Sequence, residues 1–194
     1  MESLTKRQNE IVRESIKLIS EGGIQNFTMK GLAEKLGVTE PAIYRHFSSK
    51  IDILLSMLRM IEETNRQFKI EIENSSPSLE LIENMFVRNS QLFSETPEIS
   101  SIIFSEEIFQ NNRILSDKVL NIMNERNRLT CKVINDIQET GEIRDDVSAE
   151  KLTLMIIGTL RLSISKWKLS GFNFDLTDEV QSTWLAIKTL LKKE

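Results

Sequence analysis

Residues 27–50 read FTMKGLAEKLGVTEPAIYRHFSSK, and this stretch holds two short helices with one tight turn between them. Thr28 is placed to cap the first, in which Leu32, Ala33 and Leu36 recur at helical spacing, and Gly37 supplies the left-handed backbone that ends it. Thr39 is placed to cap the second. Pro41 falls in that helix's first turn, where its missing N–H removes no intrahelical hydrogen bond. A three-residue connection containing glycine, Gly37-Val38-Thr39, gives the geometry of a helix-turn-helix, whose second helix enters the major groove of DNA. Its outward residues are Thr39, Glu40, Ala42 and Tyr44, while Ile43 and Phe47 pack inward. The same turn and apolar spacing would also serve a helical hairpin with no role at DNA.

The outward side chains suit base and phosphate contacts. Thr39, Tyr44, Arg45 and His46 offer hydroxyl, phenol, guanidinium and imidazole groups to a groove whose edges differ in donors and acceptors. Lys50 opens the next helix, where an ammonium and backbone N–H groups can hold a phosphate together. Glu40 is the exception: phosphates repel it unless it accepts from a cytosine amino group, and it can equally point away. His46, the single histidine, stands beside Tyr44 and Arg45, so a phosphate contact and a purely structural role both remain open.

Working outward, Ile11, Val12, Ile16 and Ile19 predict a first helix from about Thr5 to Glu21, stopped by Gly22-Gly23. Ser49-Lys50-Ile51-Asp52 has capping-box form and opens a long fourth helix, to about residue 73, with Ile51, Leu54, Leu55, Leu58 and Ile61 as its inner face. Breaks are expected at Asn74-Ser75-Ser76-Pro77-Ser78, Glu95-Thr96-Pro97, Asn111-Asn112, Thr140-Gly141 and Ser170-Gly171-Phe172-Asn173. The last separates an apolar helix around Leu152 to Trp167 from an amphipathic one around Leu176 to Leu191. The expectation is an all-α protein of about nine helices, with a three-helix head over residues 1–50 and a helical body over 51–194, joined by the fourth helix.

Charge divides along the same line. Residues 1–50 carry eight Lys/Arg against six Asp/Glu, which leaves 17 against 23 for residues 51–194 and a formal net charge of -4 for the whole chain of 194 residues. A basic head on an acidic body fits a DNA-facing surface, though a mild excess is common on any solvated face. With 40% hydrophobic and 28% charged residues, 7 Gly and 3 Pro, the chain has the composition of a soluble, helix-rich protein. The single cysteine, Cys131, excludes an internal disulfide and fits a reducing cytoplasm. Residues 1–10 have no signal-type apolar region, and the apolar stretch Leu152 to Leu160 is far short of the roughly 20 residues of a membrane span, so no membrane association is expected.

The run Phe27 to Lys50 resembles the signature of the TetR family of transcriptional regulators almost position for position, and the likeness is specific from about Ile11 to Leu58. That resemblance places Thr39, Glu40, Pro41, Ala42, Tyr44, Arg45 and His46 at the recognition helix, and Thr28, Lys30, Tyr44 and Lys50 where phosphates are met. It implies a homodimer on a roughly palindromic DNA operator, with half-sites on the order of 34 Å apart. It also implies repression as the default and an unidentified small-molecule effector held in the body. Met85, Phe86, Phe93, Phe104, Phe109, Met123 and Met155 are the candidates to line that pocket, although each can simply fill a core. Leu152, Ile156, Leu160 and Trp167, with Val180, Trp184, Ile187 and Leu191 on the last helix, are the candidate dimer interface, because the helix around Leu152 to Trp167 has almost no polar face. A core within one chain is the alternative for these eight.

An enzyme is not expected. One histidine and one cysteine provide no metal cluster or Cys-His pair, and the scattered glycines form no phosphate loop. The adjacent carboxylates Glu62-Glu63, Glu106-Glu107 and Asp145-Asp146 are read as surface charge, so neither cofactor nor metal is implied. The rival function with the same head is an architectural or assembly protein that binds DNA without any effector.

Overall fold

A computed structural model describes residues 4–103 and 112–193. The described residues form nine α-helices: α1 (Lys6–Asn26), α2 (Met29–Lys35), α3 (Glu40–Tyr44), α4 (Lys50–Asn74), α5 (Leu79–Glu95), α6 (Glu98–Ile103), α7 (Arg113–Thr140), α8 (Ala149–Leu169) and α9 (Leu176–Leu191). The fold is all-α; the β pairing among these residues is one isolated bridge, Ile143 with Lys192. The chain divides into two compact units, Met1–Glu62 with Glu98–Leu120, and Glu63–Pro97 with Asn121–Glu194.

In the first unit, local chemistry sets most helix boundaries. A full capping box starts α1: the Thr5 hydroxyl accepts from Gln8 N at 3.2 Å and Gln8 Oε1 accepts from Thr5 N at 3.0 Å. Ile11, Val12, Ile16 and Ile19 are buried, as their spacing predicts. Gly23 has a left-handed φ of 74° and interrupts the helical run, but one further turn follows it, where Asn26 Nδ2 donates to Gly22 O at 2.8 Å. The break therefore falls at the expected glycines, and a separate short turn follows it. Thr28 caps α2 by accepting from Gly31 N at 3.0 Å. At the other end Val38 N donates to Ala33 O and Gly37 N to Glu34 O, with Gly37 at φ 66°. A Cβ at Gly37 would meet nothing within 4 Å, so a substitution there is opposed by backbone strain alone. Gly37→Ala is expected to cost about 1 kcal/mol in urea unfolding, and Gly37→Asn less, because asparagine tolerates the left-handed region.

Ser49 Oγ accepts from Asp52 N at 3.2 Å, which starts α4. Its buried apolar positions are Ile53, Leu54, Met57, Leu58 and Phe68, with Ser56 and Asn65 buried beside them, whereas Ile51, Leu55 and Ile61 are half-buried. The inner face is thus rotated from the predicted one. Apolar residues lie nearly all round this helix, so periodicity did not select the side that packs.

In the second unit α9 lies against both α5 and α8. Trp184 of α9 is 2% exposed, and its ring stands 5.1 Å from that of Phe86 on α5. Lys188 on the same helix donates to Glu83 at 2.9 Å, and this ammonium holds the Glu83 carboxyl below the usual carboxylate range. The turn after α8 combines Gly171 and Phe172, both at positive φ, with a bond from Trp167 Nε1 to Phe174 O at 2.9 Å. That turn sends α9 back along α8.

Candidate nucleic-acid interface

The turn between α2 and α3 sorts side chains by chemistry. Leu32 and Ile43 are wholly buried and Phe47 nearly so, in a head where α2 packs on both α1 and α3. Thr28, Lys30, Thr39, Pro41, Tyr44, Arg45 and His46 are exposed, and Glu40 and Ala42 are half-buried. Tyr44 shows 47% of its surface to solvent, unusual for a large aromatic side chain in a folded head of this size. Of the ten positions singled out in the sequence, nine therefore present at least part of a side chain without a buried competitor.

Lys50 is the tenth, and its ammonium is already engaged. It donates to Ile24 O at 3.2 Å and stands 5.1 Å from the centre of the Phe27 ring. Burial lowers its pKa. A phosphate could still use its remaining hydrogens, but this residue also ties the start of α4 to the end of α1.

Thr39 occupies the cap position of α3 with extended backbone, yet its hydroxyl makes no capping bond. Helix α3 is instead begun by Ala42 N donating to Thr39 O at 2.9 Å. The hydroxyl was predicted to cap, and its release leaves it available outward. Thr28 differs: its oxygen accepts from Gly31, and only its hydrogen remains to be donated to a phosphate.

Gln8 was not among the predicted residues. One side-chain amide caps Thr5 through its oxygen and donates from its nitrogen to His46 O at 3.2 Å. It thereby connects the first turn of α1 to the end of the reading segment. Its place in a capping box was visible in the sequence, but the longer reach across 38 positions had no local signal. Ser48, also exposed, is a further polar group beside this segment.

The second unit alters two sets of expectations. Met85, Phe86 and Phe93 are buried, with Met85 Sδ 3.9 Å from Thr130 Oγ1, whereas Met123 and Met155 are exposed and belong to the outer surface of their helices. Phe104 and Phe109 lie outside the described residues. The eight residues expected at the dimer interface are mostly internal to one chain: Leu152, Ile156, Leu160, Trp167, Val180, Trp184 and Leu191 are all buried, and Ile187 is half-buried. The helices that carry them pack on α5 and on each other within one chain. The apolar residues left outside on α8 and α9 are Leu154, Met155, Leu162, Leu169, Leu185 and Leu190.

Among the described residues no helix is long and apolar enough to cross a membrane, and no group of three or more His, Cys, Asp and Glu could hold a metal ion. Residues 11–57 match the family described as "Bacterial regulatory proteins, tetR family", and residues 55–189 match the "YsiA-like protein, C-terminal region". The chain is 21% identical over 168 residues to the Fatty acid metabolism regulator protein of Bacillus subtilis (strain 168), covering 86% of each. It is 26% identical over 193 residues to the Nucleoid occlusion factor SlmA of Vibrio campbellii, covering 97% of each. Its fold matches the crystal structure of the transcriptional regulator FadR from Bacillus subtilis in complex with stearoyl-CoA, with a TM-score of 0.79 at 20% identity, over 94% of this chain and 97% of that one. The two family matches together span the helix-turn-helix and nearly all of the body, and the chain belongs to the TetR family of transcriptional regulators, DNA-binding proteins rather than enzymes.

Proposed function

We propose that this protein is a cytoplasmic repressor that binds a palindromic operator as a homodimer and is released by a fatty acyl-CoA. The observation that carries the DNA half is the sorting of residues 28–50, in which Leu32, Ile43 and Phe47 are buried while Thr28, Lys30, Thr39, Tyr44, Arg45 and His46 face solvent. Thr39, Glu40, Pro41, Ala42, Tyr44, Arg45 and His46 form the reading surface, and Thr28, Lys30 and Lys50 address phosphates. Support for the effector comes from relatives: one is a fatty acid metabolism regulator, and a solved structure of matching fold holds stearoyl-CoA. Within this chain the buried residues Met85, Phe86 and Phe93 are retained as candidates to line the acyl site.

Helix α4 is one continuous element from Lys50 to Asn74. A ligand that acts on its second half therefore acts on the helix that begins beside the reading surface. Release requires that the ligand bind the DNA-free state more tightly than the DNA-bound one. For the dimer, the outward stripe Leu154, Gly158 and Leu162 of α8, with Leu185 and Leu190 of α9, is the surface proposed to meet a second copy. Gly158 is exposed within this helix, where it costs about 1 kcal/mol relative to alanine. Close approach of a partner helix is a physical reason to keep it.

The test is DNA selection with the purified protein, followed by binding to the enriched sequence as salt is varied. A palindromic site whose affinity falls steeply with salt supports the reading, as release of counterions requires. Absence of any enriched sequence, with no binding even at low salt, overturns it. Tyr44→Ala is expected to weaken binding to that site about 30-fold, since a dimer loses two contacts at about 1 kcal/mol each, with helix content and dimer unchanged. Unchanged affinity in a gel-shift titration would remove Tyr44 from the surface.

A second reading has a specific support. Likeness to a nucleoid occlusion factor over 97% of both chains favours a DNA-binding assembly protein with no effector. Operator affinity unaltered by stearoyl-CoA and other acyl-CoA esters would select it.

A further inference from the structure

Arg126 is the cation of the second unit whose surroundings least match its charge. It lies midway along α7 and is half-buried. Its Nε donates to Asn65 Oδ1 at 2.6 Å and its Nη2 to Thr64 Oγ1 at 2.8 Å, both on α4, and its guanidinium stands 5.3 Å from the centre of the Phe68 ring. These partners are neutral. The nearby acid, Glu71, is engaged through both carboxylate oxygens by Arg88 of α5. Among the described residues, Arg126 makes no ion pair with a carboxylate, and both of its hydrogen-bond partners are uncharged.

The electrostatic consequence agrees with the geometry. Burial, reinforced by the positive charge of Arg88 and only partly opposed by Glu71, lowers the Arg126 pKa to about 10. The group is still ionised at neutral pH. A guanidinium in this position gains more from an arriving anion than one exposed to water, because less solvent screens the pair.

What surrounds it defines the rest of the ligand. One turn before Arg126 on α7 is Ile122, and Leu129, Thr130 and Val133 follow within two turns; all four are buried. Thr130 reaches Met85 of α5. Asn65 uses its other amide atom to donate to Ile122 O at 2.8 Å, so one side chain fixes both the arginine and the backbone of α7. The pattern is a fixed, polar-lined cation at the edge of an apolar interior.

We propose that Arg126 is the anion-recognising residue of the effector site, donating to a carboxylate or phosphate oxygen of a ligand whose apolar tail enters the interior lined by α5 and α7. This deepens the effector reading above and rests on it for the acyl character of the tail. Arg126 bonds directly to Thr64 and Asn65, so an anion that reorients the guanidinium changes what α4 is bonded to. Planar guanidinium suits a two-oxygen acceptor, which Lys would meet only as a point charge.

The test uses the full chain and three probes with one tail: dodecanoate, dodecanoyl-CoA and dodecanol, titrated calorimetrically into wild type and Arg126→Gln. The expected result is that at least one anionic probe binds wild type and loses about 10- to 100-fold in the variant, whereas dodecanol changes less than about threefold. Loss for dodecanoate identifies a carboxylate at Arg126, and loss for dodecanoyl-CoA alone identifies a phosphate. Equal losses for dodecanol, no loss for either anion, or no anionic probe bound by wild type would each overturn the assignment. If dodecanoate binds through Arg126 and dodecanoyl-CoA does not bind, the acyl-CoA reading falls and this one stands; if dodecanoyl-CoA binds both proteins alike and dodecanoate shows no loss, the reverse holds. Should Arg126→Gln not fold, the guanidinium NMR resonance of Arg126 in wild type decides, shifting with an anionic probe but not with dodecanol if the proposal is right and responding to neither or to both alike if it is wrong.

Discussion

The double variant Leu154→Glu, Leu162→Glu is expected to sediment as a monomer at micromolar concentration, with its helical circular dichroism unchanged, and to lose more than about 100-fold in operator affinity. Both leucines are more than 60% exposed on α8, at 63% and 68%, so their replacement removes no contact from the core of one chain. In the proposed dimer each is buried, and a carboxylate placed there is desolvated without a partner, at a cost of several kcal/mol across the two-fold axis. The DNA effect follows from linkage. A dimer binds its second half-site as an intramolecular event, and a monomer forfeits that effective concentration. Ile114→Glu serves as the control, because Ile114 is equally exposed, at 60%, but lies in the first turn of α7. A double variant that remains dimeric would place the interface elsewhere on the molecule.

The second large effect concerns stability. Trp184→Ala is expected to lower the unfolding free energy by roughly 3–5 kcal/mol, from lost transfer energy and the cavity left behind. Trp184 is one of the largest fully buried side chains, packed against Phe86 between α9 and α5. Trp184→Phe retains the ring contact and should lose less than half as much. Urea unfolding followed by circular dichroism measures both, and a loss below about 1 kcal/mol for the alanine variant would mean that this contact is not central to the core. A total stability of order 10 kcal/mol makes the difference between the two variants readily visible.

These two predictions lie on opposite sides of a distinction that periodicity alone could not draw. In α8, Leu152, Ile156 and Leu160 are inside, and Leu154, Met155 and Leu162 are outside. Both sets are apolar. Which of them faces the core is decided by where α5 and α9 lie, which is tertiary information that periodicity does not carry. The same reason rotated the inner face of α4. The head was more legible because its boundaries are written locally: Thr5 and Thr28 cap neighbours three residues away, and Gly37 takes a backbone conformation that other residues resist. Breaks in the body were legible on similar grounds, with α4 ending at Asn74 before the Pro77 segment and α7 ending at Thr140 before Gly141. What the head's sequence did not disclose was long-range engagement, namely Gln8 with the His46 carbonyl and Lys50 with that of Ile24. Arg126 was equally silent. In sequence it is one more charge in a helix, and only the fold brings it to Thr64, Asn65 and Phe68.

Helix α3 spends a single residue, Ile43, on folding. Its neighbours on the reading surface are consequently free to vary without destabilising the head, and those that fold it are shielded from the DNA. A lineage can therefore acquire a new operator by successive changes at the exposed Thr39, Tyr44 and Arg45, each viable as a protein even before the new site is bound well. Ile43, by contrast, is expected to admit almost no alternative, so that the slowest-changing position in the segment is the one that never meets a base.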